Sequence, residues 1–169
     1  MTGKMRAILS VALVVACAAL LFRSVTYVFP GPAVSERQPQ LIQGERLPAI
    51  GRVDFAAAPN TVVLILSTHC PYCTRSMPLY VRLARSAALK RKTVQIVVVG
   101  KESEAALSNN IEHYTLRVNR IARLSESLSA SIEGTPTVLI VGADRVIRES
   151  FVGELDEASE LRLLGFFDS

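Results

Sequence analysis

The stretch Thr61-Val62-Val63-Leu64-Ile65-Leu66-Ser67-Thr68-His69-Cys70-Pro71-Tyr72-Cys73 decides the fold. Its first six residues form a short, continuous apolar run rich in branched side chains, the pattern of a strand buried on both faces. Ser67 to His69 make a short connection. A helical pattern then opens at Cys70-Pro71 and runs to about Leu89, with Met77, Leu79, Tyr80, Leu83, Ala84 and Ala87 as its apolar side. Pro71 suits the first helical position, where its missing N–H has no helical partner to lose. Pro78, inside the helix, is expected to kink it. A second buried run, Val94 to Val99, follows. Strand, helix and strand at this spacing make a parallel βαβ unit with a right-handed crossover.

Downstream, the spacing predicts a helix from about Ser103 to Asn110 and another near Arg120 to Ser129, leaving 114–118 unassigned. Glu133-Gly134-Thr135-Pro136 reads as a turn before a strand, Thr137 to Val141. Gly142-Ala143-Asp144 is a tight turn, and Arg145 to Val152 alternates as a half-exposed strand, so the two form an antiparallel hairpin. Asp156 caps a last helix, from about Glu157 to Leu164.

Upstream, Ala7 to Phe22 carry no charge and follow Lys4 and Arg6. A helix over this block rises roughly 24 Å, short of the ~30 Å hydrocarbon core; extension to Phe29 makes it long enough. Arg23 then snorkels toward the headgroups, and Tyr27 and Phe29 sit at the interface. A cleaved signal would need a small-x-small site, which Phe22-Arg23-Ser24-Val25 offers poorly. Val14-Val15-Ala16-Cys17 looks like a lipobox, but the chain stays apolar to Phe22. The reading is therefore a single N-terminal transmembrane anchor over 1–29, contacting the bilayer through 7–29. Lys4 and Arg6 keep the N-terminus cytoplasmic, so the rest is extracytoplasmic, in a periplasm-like compartment. Residues 30–44, with Pro30, Pro32 and Pro39, have linker composition. One domain, 45–169, follows.

The chain has 169 residues, a net charge of +4 and three cysteines. Its cations are dispersed, which argues against a nucleic-acid partner. Three cysteines are too few for a disulfide-stapled mini-protein. Two of them, Cys70 and Cys73, sit where a buried strand gives way to a helix. The unpaired amides and positive dipole of a helix N-terminus favour a thiolate on Cys70. The i, i+3 spacing brings Cys73 to the same face. Cys70 then attacks a partner disulfide and Cys73 resolves the mixed disulfide. Cys70 is expected to be exposed and Cys73 shielded. A zinc site needs four ligands, and only His69, His113 and Cys17 remain to supply them. A purely structural disulfide would close a very small loop and gain little. His69, directly before Cys70, either modulates the thiolate as an imidazolium or is a surface loop residue without a role.

The strand, the Cys70-Pro71-Tyr72-Cys73 pair, Pro78 and the Thr135-Pro136 turn together resemble the thioredoxin superfamily. Leu47-Pro48, Gly134-Thr135-Pro136-Thr137 and Phe151-Val152-Gly153 make roughly residues 41 to 165, plus the anchor, similar to its TlpA-like, membrane-anchored branch. The resemblance implies an α/β, thioredoxin-like three-layer fold with a central mixed sheet. It implies that Pro136 is cis and faces the cysteines and that the Thr135 backbone pairs with a bound substrate chain. Pro71 and Tyr72, between the cysteines, are expected to line the docking surface, the alternative for Tyr72 being a solvent-facing turn aromatic. The resemblance also implies an enzyme, a protein thiol–disulfide oxidoreductase, reductase rather than oxidase, without metal or organic cofactor, reset by a membrane electron donor or oxidant. The chain departs from thioredoxins at Leu64, where they carry a buried acid, and in having no tryptophan. It lacks the Gly-Gly-x-Asp segment of glutaredoxins. A copper or metal chaperone using the same thiolates is the alternative. The Pro-x-x-x-Thr-x-x-Cys pattern of peroxiredoxins is absent, since Val63 and Ser67 fill its fixed positions.

Overall fold

The computed structural model describes residues 43–89 and 93–166. The expected anchor, 1–29, lies outside the described residues, as does the linker except Gln43 and Gly44. Among the described residues no helix is long and apolar enough to cross a membrane.

Chain order is a 3₁₀ turn (Phe55–Ala57), β1 (Asn60–Ile65), α1 (Pro71–Leu89), β2 (Val94–Gly100), α2 (Glu104–His113), β3 (Arg120–Arg123), α3 (Glu126–Ala130), β4 (Thr137–Gly142), β5 (Ile147–Val152) and α4 (Glu157–Gly165). The five strands form one sheet in the order β3-β2-β1-β4-β5. β1, β2 and β3 run parallel, while β4 is antiparallel to β1 and β5 antiparallel to β4. This is the expected mixed sheet. Val63, at its centre, is paired with Val97 on one side and Leu139 on the other.

Alternation along β1 separates two cores. Val62, Leu64 and Leu66 point to the face where Tyr80 and Leu83 of α1, Ile111 of α2 and Leu163 of α4 pack. Val63 and Ile65 point to the opposite face, against Leu47, Ile50, Phe55 and Leu128 of α3. A strand buried on both faces must be apolar at consecutive positions, as Thr61 to Leu66 nearly is. All six predicted apolar positions of α1 are buried, and the helix continues through Pro78. Ahead of the sheet, Gly44 N–H donates to Ile147 O (2.9 Å) and Leu47 N–H to Arg145 O (2.8 Å), so the described fold already begins at Gly44.

One expected element is wrong. The helix read over Arg120 to Ser129 is instead β3 followed by the five-residue α3, capped by Ser125. Ile121, Leu124 and Leu128 imitate helical spacing. However, Asn119 exchanges two hydrogen bonds with Ile96, at 2.7 and 2.8 Å, and so docks the chain on the open edge of β2. From there Ala122 turns inward, while Arg120 and Arg123 stay exposed. A charged, four-residue strand suits a sheet edge.

Candidate active site

β1 and β2 end side by side, and the segment 67–69 carries the chain from β1 into α1. Parallel sheets place their sites beyond the carboxyl ends of such strands. Here Ser67 O accepts from Cys70 N–H (3.3 Å), which closes a turn. Cys70 then occupies the N-cap position of α1. Its sulfur accepts from the Cys73 N–H at 3.2 Å, the contact a capping side chain makes with the third helical residue. Pro71 is the first helical residue.

The two thiols are free and unequal. Cys70 is partly exposed, whereas Cys73 is 1 % exposed. Burial alone would raise the Cys70 thiol, but hydrogen bonds from the Cys73 thiol, the Thr135 side chain and the amides of Cys73 and Tyr72 hold it below its ordinary value. Burial, and its own hydrogen bond to Cys70, push Cys73 up to about 12. The arrangement therefore offers one thiol that ionises more readily, partly exposed, and one that burial holds protonated behind it.

Across from Cys70, the Thr135–Pro136 peptide bond is cis. The Cys70 thiol donates to Thr135 O at 3.1 Å. The neighbouring carbonyls are engaged within the fold: Gly134 O accepts from Thr137 Oγ1 (2.8 Å) and Pro136 O from Gly153 N–H (2.8 Å). Beside Thr135 opens a cleft of about 240 Å³, also lined by Ser67, Glu102 and Gly134. Pro71 is exposed. Tyr72, 51 % exposed, carries the Arg75 guanidinium 4.5 Å from its ring centre. Arg75 in turn pairs with Glu154 at 2.7 Å. The fold thus gathers Cys70, Cys73, Thr135 and Pro136 at one place, with Pro71 and Tyr72 on the first turn of α1 beside them.

His69 is solvent-facing, and its Nδ1 lies 2.9 Å from Thr68 Oγ1 and 3.8 Å from Glu102 Oε1. Its ring is engaged with the connecting segment rather than with Cys70 sulfur. Glu102 itself escaped the reading of the sequence. Its Oε1 accepts from Ser67 Oγ (2.7 Å) and Thr68 N–H (3.0 Å), and so anchors the segment that carries Cys70. Burial would raise this carboxyl, but bonds from Ser67, its own amide and Thr68 keep it below the usual carboxylate range. An acid just past a central parallel strand is the signal that could have found it.

The Redoxin family model matches residues 52–163, a span that holds both cysteines and Pro136. Among solved structures the chain is similar to a thiol-disulfide isomerase from Corynebacterium glutamicum, at 19 % identity and TM-score 0.55 over 78 % of this chain and 97 % of that one. It is similar to the thioredoxin domain of a thiol-disulfide oxidoreductase from Bacteroides vulgatus, at 19 % identity and TM-score 0.58 over 76 % and 99 %. A thiol:disulfide interchange protein from Bacteroides sp. matches at 19 % identity and TM-score 0.59 over 76 % and 92 %. No curated protein matches the sequence.

Proposed function

We propose a function from the premise that this chain belongs to the Redoxin family, within the thioredoxin superfamily, and is a thiol–disulfide oxidoreductase: it exchanges dithiol for disulfide with cysteines of other proteins through Cys70 and Cys73. The observation that carries this reading is the inequality of the two thiols, one held low at the helix start and the other held high behind it. The Cys70 thiolate attacks one sulfur of a substrate disulfide, the other substrate sulfur leaves, and a mixed disulfide forms. Cys73 then attacks Cys70 sulfur and releases the second substrate thiol. Two electrons pass from the dithiol to the substrate, and Cys70–Cys73 remains as a disulfide. The substrate chain docks along Thr135, whose carbonyl faces Cys70, with Tyr72 and Pro71 beside it.

Net reduction of substrate is the proposed direction. A strong oxidant owes its potential to a strongly stabilised reduced form. At Cys70 the groups that lower the thiol are the other thiol, Thr135 and two amides, none of them cationic. The enzyme is anchored by 1–29, with its catalytic domain extracytoplasmic and a membrane electron donor restoring the dithiol. Support for this comes from the uncharged block behind Lys4 and Arg6.

Equilibrating the full-length protein in graded thiol buffers and counting alkylated cysteines tests the proposal. A potential near about −270 mV is the expected result. A value near about −120 mV overturns the reductase direction. Failure of Cys70 and Cys73 to form a disulfide overturns exchange itself. Recovery of the protein in the soluble fraction overturns the anchor.

A further inference from the structure

On the buried side of α1, behind Cys73, stand two hydroxyls, Ser76 Oγ and Tyr80 Oη, near enough to influence each other but with no hydrogen bond to a third group among the described residues. Ser76 is 6 % exposed and Tyr80 0 %. Such orphans are rare in folded proteins and call for a reason. Cys73, Ser76 and Tyr80 stand at i, i+3 and i+7, one face of the helix. A long helical side chain leans back toward the helix start, over the residues three and four before it. Tyr80 therefore leans over Ser76 toward Cys73, and it shares one buried cluster with Cys73. Burial keeps the phenol protonated; the Ser76 hydroxyl favours its ionised form, and charge on either thiol opposes it.

The need for these hydroxyls arises in the second step of exchange. In the dithiol, the Cys73 thiol serves Cys70. Once Cys70 is tied to substrate, that bond has lost its purpose and Cys73 must become a thiolate in a site that burial makes hostile to charge. The Ser67 amide and the Thr135 side chain favour the charged sulfur, but Leu64, fully buried on β1, provides no acid.

We propose that the hydroxyls of Tyr80 and Ser76 turn to donate hydrogen bonds to the Cys73 thiolate and so stabilise it while it resolves the mixed disulfide. The inference rests on the exchange reading above. The proton leaves Cys73 for the first departing substrate thiolate. Cys73 sulfur then bonds to Cys70 sulfur as the Cys70–substrate bond breaks, and the second substrate thiolate takes a proton from solvent. The hydroxyls keep their own protons throughout.

The two steps can be timed separately with an aromatic disulfide that releases one coloured thiol at each. The full chain is used with Cys17→Ala, which leaves Cys70 and Cys73 as its only thiols. Tyr80→Phe keeps the ring and removes only the hydroxyl. The expected result is an unchanged first release and a second release slowed by roughly tenfold or more, the scale of one hydrogen bond to a charged group. The pH profile of that second release also moves to higher pH, which loss of packing would not cause. Ser76→Ala slows the same phase and decides the matter should Tyr80→Phe not fold. Second phases at the parent rate and pH profile in folded variants overturn the inference. A parent protein that shows no second release overturns the exchange reading itself.

Discussion

The Cys70 thiol donates to Thr135 O at 3.1 Å, so the attacking sulfur and the backbone leading into β4 share one surface. Ionisation of Cys70 removes that donor and leaves the Thr135 carbonyl open to the substrate amide of the proposed function. The flanking carbonyls stay engaged with Thr137 and Gly153. Under the proposed function, attack by Cys70 and binding of the substrate backbone meet at this one hydrogen bond.

Single cysteine variants are expected to separate the two roles. Cys70→Ser abolishes turnover, because Cys73 is 1 % exposed and cannot meet a substrate disulfide. Cys73→Ser retains attack and accumulates Cys70-linked adducts, visible on non-reducing gels and lost on reduction. Adducts through Cys73 in the Cys70→Ser protein would sink the assignment.

Alkylation against pH reads the asymmetry directly. Cys70 lies below its ordinary value of 9.0 and Cys73 is pushed up to about 12. The thiolate is the reactive form, so modification of Cys70 rises with pH and reaches half its plateau below pH 9.0. Cys73 stays unreactive across that window. Mass spectrometry of peptides after brief treatment at each pH measures both. Equal labelling at pH 7 is the contrary outcome.

Glu102→Gln should cost stability in a pH-dependent way. Glu102 carries a carboxyl depressed below its ordinary 4.5, with a side chain only 19 % exposed. A depressed acid stabilises the fold above its unfolded pKa and loses that contribution as pH falls through the lower folded value. Loss of a charged acceptor costs roughly 1–3 kcal/mol. Urea unfolding at neutral pH should show that gap between parent and variant, and the gap should close on acidification below about pH 4.5. A gap of the same size at acid pH would exclude a charged Glu102 as its source.

How much of this was legible in the sequence depended on range. β1 and β2 were readable as continuous apolar runs of about six residues and α1 by its helical period, and the cysteine pair lies at the junction of β1 and α1. The helix cap Asp156 was readable for the same local reason, whereas Ser103, read as the first helical residue, is the cap of α2. β3 was not, because four residues are too few to separate a period of 2 from one of 3.6, and its identity comes from Asn119 docking on Ile96. Glu102 and the Arg75–Glu154 pair over Tyr72 were hidden as well. Each depends on contacts across 34 residues or more, which no local pattern encodes.

The end of β2 makes a last, sharper test. Gly100 is buried, and a Cβ built there would stand 2.8 Å from Leu107 Cδ2, 2.8 Å from Leu66 O and 3.0 Å from Glu102 Oε2. Leu107 can turn aside, but Leu66 O is backbone and lies one residue before Ser67. Gly100→Ala must therefore push apart the ends of β1 and β2 where they hold the segment leading to Cys70. Overpacking of this kind costs roughly 1–3 kcal/mol. The displacement also strikes Glu102, so the lowering of the Cys70 thiol should weaken and its alkylation midpoint should move toward the ordinary thiol value. Melting temperature and the Cys70 alkylation profile, measured on one preparation, report both effects. A variant as stable as the parent would show that β1 and β2 separate freely, contrary to the packing described.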